Sequence, residues 1–139
     1  MARVDRQVIL CAVNHHAIFK NVGITPVEYP YFDSQTLGVD FEGLISTFEN
    51  APIGSVMLLH ACAHNPTGVD PTREQWERIA EVMQSKRHYA FFDSAYQGFA
   101  SGSLDNDGWA VRYFAEKEVP MLICQVSGCV DRMSSETKY

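Results

Sequence analysis

Cysteine is sparse and unpatterned in this sequence. Cys11, Cys62, Cys124 and Cys129 form no Cys-x-x-Cys pair and sit mostly in apolar runs, which predicts buried reduced thiols rather than disulfides. Positive charge is also short. The chain has 11 lysines and arginines against 17 acidic residues, a net charge of −6. Phosphate backbones need a basic stripe, so nucleic acid is excluded as the main partner. No apolar run approaches the ~18 residues of a membrane span, so no membrane partner is expected. The start, MARVDRQVILCAV, lacks a small-residue cleavage site and is not read as a signal peptide. Ser94 has no Gly-x-Ser-x-Gly setting, which argues against a hydrolase elbow. No internal repeat, low-complexity tract or long linker is present.

What is present suits one domain. The chain has 139 residues, 46% of them hydrophobic and 20% charged, close to the globular average. A chain of this size buries about two thirds of its unfolded surface, enough for a real core.

Apolar runs alternate with helical patterns. Gln7–Val13 reads as a strand and Asn14–Asn21 as a short helix. Pro26–Phe32 reads as an extended segment, with Pro30 favouring an edge. Asp40–Asn50 places Phe41, Leu44, Ile45 and Phe48 on one helical face. Ser55–Cys62 is a continuous apolar run, the pattern of a strand buried on both faces. The following helix can be capped by Asp70 with Pro71 in its first turn, or by a Thr72–Gln75 capping box; Trp76, Ile79, Ala80 and Met83 form its buried stripe. Tyr89–Phe92 makes another strand ending at Asp93. Trp109, Ala110, Tyr113 and Phe114 mark another helical face, and Met121–Gln125 a last strand. This alternation predicts an α/β fold in three layers, a mostly parallel sheet with flanking helices. Residues 126–139 carry no clear period and are expected to be a poorly ordered tail.

In an open α/β sheet, ligands bind beyond the carboxyl ends of the strands. Two polar clusters fall there: His60, His64 and Asn65 after one strand, and Asp93, Ser94, Tyr96 and Gln97 after another. A carboxylate at a strand end beside Phe91 and Phe92 is partly desolvated and needs a cationic or proton-donating partner. Each signal has a plain structural reading as well. Asn65-Pro66-Thr67-Gly68 makes a turn, and Asp93 alone can be a cap. His60 and His64 are read as core histidines rather than metal ligands, and no metal is expected. Asp105-Asn106-Asp107-Gly108 resembles part of a calcium loop, but without the twelve-residue pattern it reads as a solvated turn. Arg73, Arg78, Lys86 and Arg87 look like a solvated face.

Together the segments are more specific than any one of them. HACAHNPTGVDPTREQW (60–76) followed by FFDSAYQGFASG (91–102) closely resembles aspartate aminotransferase, a fold-type-I enzyme family dependent on pyridoxal 5′-phosphate. NHHAIFKNVG (14–23) and YFDSQTLGVDFEG (31–43) fit the same family in the same order. The resemblance implies that residues 1–125 are part of that family's large, cofactor-binding domain, with 126–139 unmatched. It implies that Asp93 pairs with the pyridine nitrogen and keeps it protonated. Asn65 and Tyr96 would donate to the phenolic oxygen. His15 would orient the aspartate, and Pro66 would follow a cis bond. The family moves an amino group between aspartate and 2-oxoglutarate, giving oxaloacetate and glutamate, and works as a homodimer with sites shared across the interface.

The departures shape the functional expectation. Ala12 stands where the family has a tryptophan that stacks on the ring. The phosphate-binding turn, the Schiff-base lysine and the downstream arginines have no match among these residues. Lys20, Lys86 and Lys117 fall on polar helical positions, and Lys138 lies in the unmatched tail. The lysine is both covalent anchor and proton shuttle, so the chain by itself is expected to be inactive. Two other readings are a non-catalytic fragment that docks on a full-length subunit and a truncated product without function. The compartment, cytosolic or mitochondrial, is left open.

Overall fold

The computed structural model describes residues 8–10 and 13–125. Seven strands and five helices follow one another along these residues. They are β1 (Val8–Leu10), α1 (Val13–Asn21), β2 (Val27–Glu28), β3 (Phe32–Asp33), β4 (Gly38–Val39) and α2 (Phe41–Asn50). Then come β5 (Val56–His60), α3 (Arg73–Ser85), β6 (Tyr89–Ser94), α4 (Leu104–Asp107), α5 (Trp109–Glu116) and β7 (Met121–Gln125).

Five strands form one sheet in the order β2-β1-β5-β6-β7, and every pairing in it is parallel. The antiparallel β3–β4 pair stands apart. Side chains alternate across the sheet, as strand geometry requires. Ile9, Met57, Leu59, Ala90 and Phe92 face one way and join the main core, which α2, α3 and α5 cover with Leu44, Phe48, Ile79, Met83 and Phe114. Val8, Leu58 and the partly buried Phe91 face the other way and pack with Phe19 of α1. Helices therefore flank both faces.

The helix boundaries have local causes. Thr72 is the N-cap of α3, with a complete capping box to Gln75. Of the two caps legible in the sequence, this is the one the chain uses. Asp70 instead accepts the backbone N–H groups of Ala63 and His64 at 2.7 and 2.9 Å. Asp40 caps α2 through the N–H of Gly43 at 3.0 Å. Residues 105–108 are not the solvated turn expected. Ser103 caps the short α4, and Asp107 at its end is turned inward and buried. There its carboxylate accepts the N–H groups of Gly98, Ala100 and Ser101 and the Ser101 hydroxyl.

One further expectation changes. Cys62 is a buried free thiol, but Cys124 is exposed on β7, an edge strand, alongside exposed Leu122 and Ile123. Cys11, Cys129, the Ala12 position, Lys138 and the expected tail at 126–139 lie outside the described residues. Among the described residues, no helix is long and apolar enough to cross a membrane.

Candidate functional site

The strand order reverses direction beside β1. From β1 the chain goes through α1 to β2 on one side; later it enters β5 on the other side and continues outward to β6 and β7. Such a switch opens a crevice at the carboxyl ends of the strands, where α/β sheets bind ligands. His15 follows β1 on α1, His60 ends β5, and Asp93 lies near the end of β6.

Register puts these groups together. β5 and β6 pair with His60 opposite Asp93. Both side chains fall on the face where α1 packs, because they share alternation with Leu58 and Phe91. His15 reaches the same point from α1, and its Nε2–H donates to Asp93 Oδ2 at 3.1 Å. This is the proton-donating partner that a partly desolvated carboxylate requires. The side chains of His15 and Asp93 are 16% and 28% exposed. Among the described residues, His15 is the sole hydrogen-bond partner of the Asp93 side chain, so Oδ1 remains available to a ligand N–H.

Asn65 sits one strand away, in the loop after β5. Three features fix that loop. Asp70 holds the two preceding N–H groups. Gly68, at φ +69°, returns its N–H to the carbonyl of His64 at 2.6 Å. His64 stacks on Tyr31 with ring centroids 3.5 Å apart, and its Nδ1 lies 2.8 Å from Thr67 Oγ1. The Asn65–Pro66 peptide is cis. Asn65 donates its backbone N–H to His60 Nδ1 at 3.4 Å, a long contact. Tyr96 follows β6 and is 44% exposed. The structure thus joins His15 to Asp93 directly and brings Asn65 and Tyr96 to loops leaving neighbouring strand ends, with no hydrogen bond among the described residues from either of those two to the Asp93 side chain.

His60 is the group that reading the sequence as a core histidine underrated. It is buried, yet its Nε2 has no hydrogen-bond partner, and His15 Nδ1 is in the same position. The two rings meet edge to face with centroids 5.9 Å apart. The available signal was positional: His60 and Asp93 end adjacent parallel strands. Burial pushes the His60 imidazole below its ordinary pKa against the opposing charge of Asp93. Burial, helped by His60, pushes His64 down to about 4. Burial lifts the Cys62 thiol to about 12, with Asp107 and Asp70 adding to the effect.

The described lysines lie elsewhere. Lys86 and Lys117 precede β6 and β7 and so belong to the opposite end of the sheet; Lys20 is exposed in the last turn of α1.

Comparison with known proteins agrees with this architecture. Residues 5–128 match the family described as aminotransferase class I and II. Over 112 residues the chain is 54% identical to the mitochondrial aspartate aminotransferase of Schizosaccharomyces pombe, covering 81% of this chain and 26% of that protein. It resembles the structure of aspartate aminotransferase from Trypanosoma cruzi with a TM-score of 0.85 and 46% identity, covering 88% of this chain and 32% of that one. An aromatic-amino-acid aminotransferase from Burkholderia pseudomallei, covalently bound to pyridoxal phosphate, matches with a TM-score of 0.82 and 38% identity over 86% of this chain and 31% of that one. The chain spans about a quarter of the length of the curated relatives it matches. With its parallel five-stranded sheet and flanking helices, it belongs to the class I and II aminotransferases, as part of their large domain.

Proposed function

We infer that these residues form the ring-facing part of a pyridoxal 5′-phosphate site in an aspartate aminotransferase, which exchanges an amino group between L-aspartate and 2-oxoglutarate. The observation that carries this reading is the Asp93 carboxylate, held by His15 through one oxygen and free on the other. That arrangement fits a cofactor whose ring nitrogen bears a proton. When bound, the group supplies an electron sink for the pair released as a proton leaves the substrate Cα.

The roles of the chain's own residues follow. Asp93 Oδ1 accepts the ring N–H, and the negative charge keeps that proton in place. His15 fixes the carboxylate and uses its Nε2–H in doing so, which leaves Asp93 an acceptor toward the ring. Asn65 and Tyr96 donate to the phenolic oxygen, and two donors on one oxygen stabilise its anionic form. Turnover also needs a Schiff-base lysine and phosphate-binding groups, which these 139 residues do not match. The chain alone is therefore proposed to bind the ring weakly and not to transaminate, and the homodimer belongs to the whole protein.

The test uses pyridoxamine 5′-phosphate, which forms no Schiff base with stray lysines. Fluorescence titration of the purified chain should show uptake that Asp93→Ala abolishes. Uptake unchanged by that substitution would sink the assignment. Incubation with aspartate, 2-oxoglutarate and pyridoxal phosphate should give no turnover above background; Asp93-dependent turnover would refute the proposed incompetence.

One observation favours a second reading, a non-catalytic piece that docks on a full-length subunit. Leu122 and Ile123 are 68% and 47% exposed on edge strand β7, and an uncovered apolar edge invites pairing. Sedimentation with an intact aminotransferase would reveal a stable mixed species.

A further inference from the structure

We propose that His15, His60 and Asp93 bind one divalent transition-metal ion of the zinc class. The three side chains come from three elements, α1, β5 and β6, and offer ligand atoms that all lie within 4.8 Å of one another. Tetrahedral zinc, with bonds of about 2.0–2.2 Å to imidazole nitrogen and carboxylate oxygen, places its ligands roughly 3.3 Å apart. His15 Nε2 and Asp93 Oδ2 already stand 3.1 Å apart. The third ligand, His60, has only to close in.

His60 supplies the second, independent observation. The residue is 6% exposed and its Nε2 has no hydrogen-bond partner. A buried polar nitrogen with nothing to bind, on a ring whose ligand atom lies within 4.8 Å of those of an imidazole and a carboxylate, marks a place for a ligand. His64, by contrast, is engaged with Thr67 and Tyr31 and is left out of the set. Two imidazoles and one carboxylate also leave a fourth position for water, and the partial exposure of Asp93 gives the ion a path from solvent.

The protons balance without an acid or base. When the ion takes His15 Nε2, the proton there moves to the unpartnered Nδ1. His60 likewise carries its proton on Nδ1, giving up only the long 3.4 Å contact from Asn65. Neither displaced proton finds an acceptor among the described residues. Each missing supporting bond weakens a zinc site by about 10–100-fold, so this one is reversible rather than a structural zinc. The ion takes Asp93 Oδ2 in place of the His15 N–H, and its positive charge beside the carboxylate disfavours a protonated ring on Oδ1, so ion and ring exclude one another. That exclusion rests on the proposed function; the metal site does not.

The test is equilibrium dialysis of the full 139-residue chain, free of cofactor, against zinc, with cobalt(II) as a spectroscopic stand-in. One zinc per chain is expected, with visible cobalt bands of a four-coordinate nitrogen–oxygen site. His60→Ala should weaken retention by more than the roughly 10–100-fold that loss of a supporting contact produces. His15→Gln, on a different element, should act in the same direction, with circular dichroism unchanged in whichever variant is compared. No zinc retained, zinc held by either folded variant as tightly as by the unsubstituted chain, or a thiolate-to-cobalt charge-transfer band that places the ion on cysteine would each overturn the site. Failure here leaves the cofactor reading standing. Zinc retained beside bound pyridoxamine phosphate would overturn the shared use of Asp93.

Discussion

His15 and Asp93 lie 78 positions apart in the chain, yet the imidazole Nε2–H of one donates to the carboxylate of the other at 3.1 Å. The contact exists because α1 packs on the same sheet face that Asp93 presents. A hydrogen bond to a charged group is worth about 1.5–3 kcal/mol, or roughly 10–100-fold in affinity. His15→Gln should weaken pyridoxamine phosphate binding by about that factor, whereas Asp93→Ala should abolish it. Titration of both variants checks the ordering. Equal losses would mean that His15 does more than orient.

Acid should destabilise the fold well before its carboxylates are protonated. Burial depresses the pKa of His60, His64 and His88, that of His64 to about 4. The unfolded chain therefore binds more protons than the native one below the ordinary histidine value near 6.5. Stability is full above that pH and declines as pH falls through the window from about 6.5 to about 4. Melting temperatures measured across the window should drop, and His64→Gln should flatten the slope. A melting temperature independent of pH over that range would contradict the neutral burial of these rings.

Asp107 should be a structural keystone of the segment that follows Tyr96. Asp107→Asn turns an amide N–H toward backbone donors, so stability should fall by about 2–3 kcal/mol. The amides of Gly98, Ala100 and Ser101, now its donors, should lose protection in hydrogen exchange. Unchanged protection would show that the segment holds itself.

The two described thiols should differ sharply in reactivity. Cys62 is buried with its pKa raised to about 12, while Cys124 is exposed. The thiolate is the reactive form. Alkylation followed by peptide mapping should mark Cys124 in the native chain and Cys62 only after unfolding.

The parallel sheet was legible from the sequence because Ser55–Cys62 and Tyr89–Phe92 are continuous apolar runs, and α3 because its capping box and Trp76 stripe agree. Val13, read as part of the first strand, belongs to α1 instead; apolarity alone does not separate a strand from the helix after it. The β3–β4 pair was not foreseen as a pair, since two-residue strands carry no period. Asp107 was misjudged for another reason. Three polar residues and a glycine in a row read as solvated, and only the fold shows one of them turned toward three backbone N–H groups. His15, Asn65, Asp93 and Tyr96 were singled out as a cofactor site through resemblance. Physics alone marked strand ends, and the His15–Asp93 contact needed the folded chain.

The His60–Asp93 pairing on β5 and β6 has one more consequence. The same alignment that buries Phe92 beneath the helices presents Asp93 on the reverse side. A slip of one position would send the carboxylate into the oil and the phenyl ring out. Errors of strand alignment here are thus doubly costly: a misthreaded chain loses the His15–Asp93 contact and the seating of Phe92 in the core at one stroke.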